Sequence, residues 1–244
     1  MARQSEPQIP VLVTRPKAAG EAFAVALTAR FGPRVRPVLS PLIAPRLLTP
    51  PIPDHDYAAV IFTSAQAVEA ARQLTAALPR LAWCVGRMTA QIATAAGFDA
   101  RSTDGDADTL AKAILAEPPN GRILYLRGVD TRGNLLEILE SFGLGADVAI
   151  VYAQDPCCIT SEALSLLRSV DPVLVPLFSP RTAALFRAEL PPDASAKLHI
   201  AAMSGAVADA LGDLPRAALT IARQPDAPGM LDAVESLLVG LTPP

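Results

Sequence analysis

The segment AVIFTSAQAVEAA, residues 59–71, decides the fold of this chain. Residues 60–62 are a short apolar run, typical of a buried strand, and Thr63-Ser64 connects it directly to a helical pattern. Ser64 stands at the N-cap position, where its hydroxyl accepts a backbone N–H of the first helical turn. Capping alone explains this serine, and binding of an anionic group at the same helix start is the alternative. The segment predicts a strand–serine–helix turn of an α/β protein.

The same turn occurs a second time in the chain. Residues 173–184, VLVPLFSPRTAA, form another apolar strand that ends at Phe178-Ser179, and Pro180 suits the first position of a following helix. Further positions match in the same order, with an offset that grows slowly as loop insertions would make it do. They are Thr14-Arg15 with Leu126-Arg127, Phe31-Gly32 with Phe142-Gly143, Val85-Gly86 with Met203-Ser204, and Leu110 with Leu231. The chain therefore indicates an internal duplication of a unit of about 110 residues.

Alternating strands and helices in both copies predict two similar, doubly wound parallel sheets. Such sheets bind ligands at the carboxyl ends of their strands, where the serines and arginines noted here lie. Two such domains facing one another would form a cleft lined by both sets. From the repeat alone, the domain boundary is expected near Gly121.

Composition and charge narrow the class of protein. Of 244 residues, 51% are hydrophobic, which is ample for a core, and the formal net charge of −3 gives no general attraction to nucleic acid or anionic membrane. The three cysteines, Cys84, Cys157 and Cys158, form no C-x-x-C pair, so a reduced cytoplasmic setting is expected. The N-terminal residues contain no apolar signal region, and no apolar run approaches a membrane span.

Several familiar catalytic motifs do not occur in the sequence. It contains no phosphate-binding loop, no dinucleotide fingerprint, and no nucleophile elbow around Ser64 or Ser179. His55 and His199 are far apart in sequence, which disfavours metal catalysis and a Ser–His triad. We therefore expect neither metal nor cofactor. Hydroxyls, arginines, helix starts and one well-placed tyrosine remain, and they can bind carboxylates and donate protons.

Seven motifs are spread over nearly the whole chain. They are VLVTRP at 11–16, IFTSAQAVEA at 61–70, CVGRMTA at 84–90, LYLRGVDTRGNLLEIL at 124–139, VAIVYAQ at 148–154, LFSPRTAALF at 177–186 and ARQPDAPGMLDAV at 222–234. Each is weak alone, because a strand–serine–helix turn is common, but their number and order are specific. Together they resemble the uroporphyrinogen-III synthase family.

The resemblance implies two α/β domains joined by two extended linker strands. On that pattern, residues 1–36 and 155–244 form one discontinuous domain and residues 40–148 form the other. Residues 35–43 and 148–154 would be the linker strands. The prolines within residues 35–43 favour an edge strand or a linker over a central strand.

The family is a class of lyases that close the linear tetrapyrrole hydroxymethylbilane to uroporphyrinogen III. Water is lost and the last pyrrole ring is inverted, through an azafulvene and a spiro intermediate. The substrate carries eight carboxylates, and without an enzyme it closes to the wrong isomer, so a protein must mainly fix its conformation. The resemblance also implies a cytoplasmic monomer of heme biosynthesis that acts on this small molecule, without cofactor, nucleic acid or membrane.

Tyr152 matches the tyrosine of the family's V-Y motif and is the candidate for assisting departure of the hydroxyl. Its alternative role is that of an interfacial aromatic that stabilises the linker. The candidate substrate-binding residues are hydroxyls and arginines at strand ends, any of which has a capping or surface ion-pair role as its alternative. They are Thr14, Arg15, Ser64, Thr89, Arg127, Ser179 and Arg181.

One turn departs from the family pattern. Where the family often has a G-P-T-T-A type turn, this chain has Ser204-Gly205-Ala206-Val207-Ala208, so two threonines are missing. This departure is the support for an alternative function, a non-catalytic tetrapyrrole-binding or regulatory protein on the same fold. A binder of that kind would be indifferent to replacement of Tyr152 by phenylalanine.

Overall fold

The computed structural model of the chain describes residues 8–103, 105–130 and 133–241. In chain order its strands are β1 (Ile9–Val13), β2 (Val35–Leu39), β3 (Ile43–Leu47), β4 (Tyr57–Phe62), β5 (Leu81–Val85), β6 (Asp99–Thr103), β7 (Arg122–Gly128), β8 (Ala146–Pro156), β9 (Pro172–Leu177), β10 (Lys197–Ala202) and β11 (Ala218–Ile221). Its α-helices are α1 (Lys17–Phe31), α2 (Ala65–Ala71), α3 (Arg87–Ala95), α4 (Ala107–Ala116), α5 (Leu135–Ser141), α6 (Ser161–Arg168), α7 (Pro180–Glu189), α8 (Gly205–Asp209) and α9 (Ala227–Val239), and a 3-10 helix spans Gly32–Arg34.

Several helices begin at a side chain that caps their first turn. In each case a side-chain oxygen accepts the backbone N–H three residues on, which satisfies a group that the helix itself leaves unpaired. These N-caps are Ser64 for α2, Asp106 for α4, Thr160 for α6, Ser179 for α7 and Asp226 for α9. In the described part of the chain, no helix is both long and apolar enough to cross a bilayer.

The chain divides into two compact units. Unit 1 comprises Met1–Ala44 and Pro156–Pro244, and unit 2 comprises Pro45–Asp155. Unit 1 contains a sheet of order β11-β10-β9-β1-β2, and the six-stranded sheet of order β3-β8-β7-β4-β5-β6 belongs to unit 2 apart from the first residues of β3 and the last of β8. The ladders within β11-β10-β9-β1-β2 and within β8-β7-β4-β5-β6 are all parallel. Each sheet has helices and an apolar cluster on both faces, as the predicted doubly wound α/β class requires.

The two sheets share one order of strands when the chain is read cyclically. The order β2-β1-β9-β10-β11 of unit 1 corresponds to β8-β7-β4-β5-β6 of unit 2, with β3 added beside β8. This is the relation that an internal duplication would produce, and it supports that hypothesis. In each unit the chain order reverses at one pair of neighbours, β1 and β9 in unit 1 and β7 and β4 in unit 2. Ligands of doubly wound sheets bind outside the carboxyl ends of the strands at this reversal.

The segments predicted as linker strands are strands of the two sheets. Within residues 35–43, β2 is the edge strand of unit 1, which explains why Pro37 is tolerated there. The boundary between the units then falls inside β3. Residues 148–154 lie within β8, which pairs with β7. That these segments act as linkers stays a prediction, and residues 1–7 and 242–244 of the predicted first domain lie outside the described residues.

A cluster of polar side chains joins the amino ends of three neighbouring strands in unit 2. Arg122 on β7 binds the carboxylate of Asp147 on β8 through two N–H groups, at N···O distances of 2.9 and 2.6 Å. Tyr57 on β4 donates its hydroxyl to the same carboxylate at 3.0 Å. The Arg122 hydrogen bonds lower the pKa of Asp147, and burial, followed by the Asp147 bond, raises the pKa of Tyr57 to about 12. The cluster therefore stabilises the sheet only while Asp147 is ionised.

We expect Asp147→Asn to remove part of the acid sensitivity of unit 2. Because folding depresses the pKa of Asp147, its contribution is complete above the unfolded pKa of about 4 and is lost as pH falls through the folded value. Urea unfolding of the wild-type chain should therefore show a steeper loss of stability below about pH 4 than the variant shows.

Asp193→Asn is the matched control for this prediction. Asp193 pairs with Arg168 at 2.9 Å, but its side chain is 64% exposed, compared with 21% for Asp147. Such surface pairs contribute about 0–1 kcal/mol, so this variant should unfold like the wild-type chain. Equal slopes for the wild-type chain and Asp147→Asn would show that the cluster carries no pH-dependent stability.

Candidate active site

The strands that meet at the reversal in unit 2 bring distant polar residues together. Ile61 and Phe62 of β4 stand in register with Tyr125 and Leu126 of β7. On the other side of β7, Arg127 is in register with Ile150 of β8. Because these ladders are parallel, the residues that end β4 and β7 lie at one edge of the sheet, beside Tyr152 within β8.

Ser64 and Tyr152 are hydrogen-bonded at this edge. The Ser64 hydroxyl accepts the N–H of Ala67 at 3.3 Å and donates its own hydrogen to Tyr152 Oη, with an O···O distance of 2.9 Å. A serine hydroxyl has one hydrogen, and here Tyr152 accepts it. The phenolic hydrogen of Tyr152 is then available for another acceptor. The sequence placed both residues in the site, and the structure adds the direct contact between them.

An irregularity of β8 sets the direction of the Tyr152 side chain. Arg127 pairs with Ile150 and the next residue, Gly128, pairs with Tyr152, so the register shifts by one residue between them. The N–H of Val129 bonds to the carbonyl of Tyr152 at 3.0 Å and fixes the backbone after the shift. Such bulges re-aim side chains at sheet edges. Tyr152 is 8% exposed and packs with the apolar cluster on the face covered by α2 and α3.

A second hydroxyl pair lies beside the first and was not predicted from the sequence. Thr63 Oγ1 and Tyr125 Oη are 3.4 Å apart, a weaker contact than that of Ser64 with Tyr152. Tyr125 packs with the cluster on the α4 and α5 face, and burial raises its pKa. Thr63 and Ser64 directly follow β4, and adjacent residues of an extended chain point to opposite faces. The hydroxyl of Thr63 therefore meets Tyr125 on one face, and that of Ser64 meets Tyr152 on the other. The apolar run that surrounds Tyr125 gave it the pattern of a core residue, which is why sequence reasoning missed it.

Two other predicted residues of unit 2 are placed near this edge. Arg127 donates from Nη1 to the carbonyls of Gly128 and Val129 at 3.1 and 3.3 Å, so the backbone at the end of β7 holds its guanidinium. Thr89 lies in the first turn of α3 and is 8% exposed. The structure therefore brings Ser64 and Tyr152 into contact. Arg127 lies close by, because it directly precedes Gly128, the partner of Tyr152 in the ladder.

The matching turn of unit 1 has a different hydrogen-bond pattern. Ser179 accepts the N–H of Thr182 at 3.1 Å, and its hydroxyl also lies 2.9 Å from Thr182 Oγ1. In unit 2 the residue three positions after the N-cap serine is Ala67, which has no hydroxyl. The Ser179 hydroxyl is thus satisfied within its own helix, whereas the Ser64 hydroxyl reaches the phenol of Tyr152.

Arg15 of unit 1 is held on an aromatic face next to Ser179. Its guanidinium carbon lies 4.0 Å from the ring centroid of Phe178, and Phe23 contacts the same ring edge-to-face at 4.9 Å. Partial burial lowers the pKa of Arg15, and among the described residues no carboxylate pairs with it. Arginine stays protonated even when half-buried, so Arg15 carries a charged fork of the kind that pairs with carboxylates.

The remaining predicted positions of unit 1 differ in accessibility. Thr14 is 1% exposed, and its Oγ1 is a buried hydroxyl without a hydrogen-bond partner among the described residues. Arg181 is exposed in the first turn of α7. Ser204, at the turn that departs from the family pattern, is the N-cap residue of α8 but makes no side-chain capping bond. Arg181 is therefore exposed and Thr14 is buried, and the hydroxyl of Ser204 does not cap its helix.

Comparisons with known proteins point to one family. A family model described as uroporphyrinogen-III synthase HemD matches residues 23–232. Among solved structures, the chain is similar to the uroporphyrinogen-III synthetase of Helicobacter pylori, with a TM-score of 0.61 and 18% identity over 95% of this chain and 100% of that one. A mutant uroporphyrinogen III synthase of Thermus thermophilus matches with a TM-score of 0.46 and 18% identity, over 95% of this chain and 99% of that one. No curated protein sequence matches the chain.

The N-cap serines Ser64, Ser179 and Ser204 should differ in their contribution to stability. Ser64→Ala and Ser179→Ala each remove a capping bond, and we expect each to lower the free energy of unfolding by about 0.5–2 kcal/mol. Ser204→Ala is the matched control, because this serine has no capping bond to lose. Denaturant unfolding of the three variants would measure the difference, and a loss for Ser204→Ala as large as the other two would contradict it.

Proposed function

The chain belongs to the uroporphyrinogen-III synthase family and is a lyase of tetrapyrrole biosynthesis, and we propose that Tyr152 is its proton donor. Its activity is the closure of hydroxymethylbilane to uroporphyrinogen III. The observation that carries the proposal is the bond donated by Ser64 to Tyr152 Oη, because it leaves the phenolic hydrogen for the substrate.

The first chemical step needs a donor of this kind. The hydroxyl of the substrate's hydroxymethyl group is a poor leaving group, and a proton donated by the phenol lets it leave as water. The C–O bond breaks while the lone pair of the adjacent pyrrole nitrogen supplies the electrons, which gives the azafulvene in its N-protonated, cationic form and leaves Tyr152 as the phenolate. Closure of the ring later releases one proton from the attacked pyrrole carbon, and this balances the proton that Tyr152 gave.

Ser64 assists this step by stabilising the phenolate that develops. A hydroxyl that donates to Tyr152 Oη binds the oxygen more strongly as its negative charge grows. Because Ser64 is itself held by the N–H of Ala67, it needs little reorientation during the reaction. Tyr152 is on β8, but its hydroxyl meets Ser64 at the end of β4, beside the chain reversal between β7 and β4. Doubly wound sheets bind ligands at such a reversal, which agrees with this role.

The arginines and the other hydroxyls serve to bind the carboxylates of the substrate in this proposal. Arg15 is supported best, because Phe178 holds its guanidinium and no described carboxylate neutralises it. Arg127 is supported by its fixed position one residue before Gly128. The further binding residues proposed from the family pattern are Thr14, Ser64, Thr89, Ser179 and Arg181, of which Thr14 would have to become accessible. Fixing the bilane in one conformation is what suppresses closure to the wrong isomer.

We further propose that the chain acts as a monomer in the cytoplasm and binds no nucleic acid. The net charge of −3 supports the absence of nucleic-acid binding, and the arrangement of the three cysteines supports the cytoplasm. The monomer is what the family resemblance implies. Sedimentation at the concentration of the activity assay should give a mass close to 25.5 kDa, and a mass twice as large would contradict the monomer.

We expect Tyr152→Phe to lower kcat for hydroxymethylbilane by about 100-fold, since general acids contribute about 10²- to 10⁴-fold to rates. The fraction of isomer III should fall at the same time, because uncatalysed closure to isomer I then competes. Ser64→Ala should lower kcat less, by about 5-fold, as loss of one hydrogen bond of about 1 kcal/mol predicts. The measurement is the rate and the isomer ratio from freshly prepared substrate.

Tyr125→Phe is the matched control, because it removes the other buried phenol of the same sheet edge. Its hydroxyl contacts Thr63 only weakly and has no role in the proposed step, so activity should stay within about twofold of wild type. If Tyr152→Phe and Tyr125→Phe are equally active, Tyr152 is not the proton donor. If the wild-type chain itself yields only isomer I, the protein is a binder on this fold.

A further inference from the structure

The ring of Tyr152 lies against a position that has room for glycine alone. A Cβ atom on Gly128 would come within 2.6 Å of Cζ, 2.7 Å of Cε2 and 2.9 Å of Oη of Tyr152. An ordinary contact between carbon atoms is about 3.5–4.0 Å, so any side chain here would have to displace the ring by about 1 Å. The missing side chain of Gly128 thus leaves the space that the hydroxyl-bearing end of the phenol occupies.

The backbone does not require a glycine at this position. Gly128 ends β7, and its φ is outside the positive range that favours glycine, unlike Gly86 with a φ of 78°. The three heavy atoms nearest to the absent Cβ all belong to Tyr152. The requirement for glycine therefore comes from the tyrosine ring and not from the conformation of the strand.

The ring has little freedom to avoid a side chain at position 128. Tyr152 is 8% exposed and has only two side-chain torsions, and the bond from Val129 N–H to its carbonyl fixes its backbone. Its hydroxyl is held at the other end by Ser64. A methyl group on residue 128 would have to move the phenol relative to Ser64, to the strand, or to both.

Unit 1 offers a natural comparison. The dipeptide Leu126-Arg127 matches Thr14-Arg15, so Pro16, which carries a Cβ, stands where Gly128 stands in unit 2. All three tyrosines of the chain lie in unit 2. The glycine and the phenol therefore occur together in one unit, and neither is present at the matching place in the other.

We infer that Gly128 is a positioning residue that seats the phenol of Tyr152 for proton donation. The inference rests on the proposed role of Tyr152, and it adds a residue that does not touch the reacting atoms itself. A displacement of about 1 Å in a catalytic group costs up to about 100-fold in rate. The residue at position 128 should therefore affect kcat by determining the position of the Tyr152 hydroxyl.

The test compares Gly128→Ala in two backgrounds, wild type and Tyr152→Phe, with kcat, KM and the thermal unfolding midpoint measured for each chain. In the wild-type background, Gly128→Ala should lower kcat by about 10- to 100-fold and leave KM for hydroxymethylbilane within about threefold. In the Tyr152→Phe background it should leave kcat within about twofold, because there is no hydroxyl to misplace. The unfolding midpoint should fall by roughly 3–10 °C in both backgrounds, since the phenylalanine ring meets the same methyl group.

A merely structural role for Gly128 would give a different pattern. General damage to unit 2 would lower kcat by the same factor in both backgrounds, and that result would overturn the inference. Wild-type kcat for Gly128→Ala, together with a slow Tyr152→Phe, would overturn the inference but leave the proposed function standing. Wild-type kcat for Tyr152→Phe would overturn the proposed function and the inference with it.

Two further variants keep the test decisive. If Gly128→Ala does not fold, the double variant with Tyr152→Leu should fold, because the ring that clashes is gone. Failure of that double variant to fold would overturn the assignment of the clash to Tyr152. Gly240→Ala is the matched control: its φ is −73° and its nearest neighbour would be the carbonyl oxygen of Leu237 at 3.6 Å, so kcat should not change.

Discussion

The candidate active site of this protein depends on one constraint, the parallel ladder formed by β4, β7 and β8. Parallel pairing places the carboxyl ends of β4 and β7 beside Tyr152 of β8, although Ser64 and Tyr152 are far apart in the sequence. The register shift after Arg127 then turns one tyrosine toward the N-cap serine of α2. Neither residue has to be unusual in its chemistry, because the geometry of the sheet makes the contact and the buried setting keeps it.

The two units show how one turn can serve two purposes. In unit 1 the N-cap serine has a threonine three residues later, and the two hydroxyls satisfy one another. In unit 2 that position is Ala67, and the serine hydroxyl donates to Tyr152 on β8, two strands away from β4. Unit 1 places a charged arginine on the face of Phe178 beside its serine. If the duplication inferred from the sequence took place, few changes separate a serine satisfied within its own helix from one that holds the proposed proton donor.

Much of this arrangement could be predicted from the sequence, because the strong signals are local. Apolar runs followed by serine gave β4 and β9 with their helices, and the family resemblance gave the discontinuous order of the chain. The sequence does not predict β6, because Asp99–Thr103 is mostly exposed and lacks the apolar alternation that marks a strand. The role of β2 was ambiguous for the opposite reason, since Pro37 is compatible with an edge strand and with a linker.

The contacts within the candidate site could not be predicted in the same way, because they depend on the register of the strands. A one-residue shift in a strand pair changes which side chain points to which face. The residues around Tyr152 contain no sequence pattern that predicts the shift in β8. Gly128 shows the same limit. Beside Arg127 in the sequence it has the pattern of a strand end, where glycine is common, and its meaning lies in a ring that is adjacent only in space. Gly128 has an ordinary backbone conformation, but a neighbouring side chain occupies the space that its own Cβ would need. A glycine of this kind indicates that the neighbouring group is held in position, and it can be recognised only from coordinates.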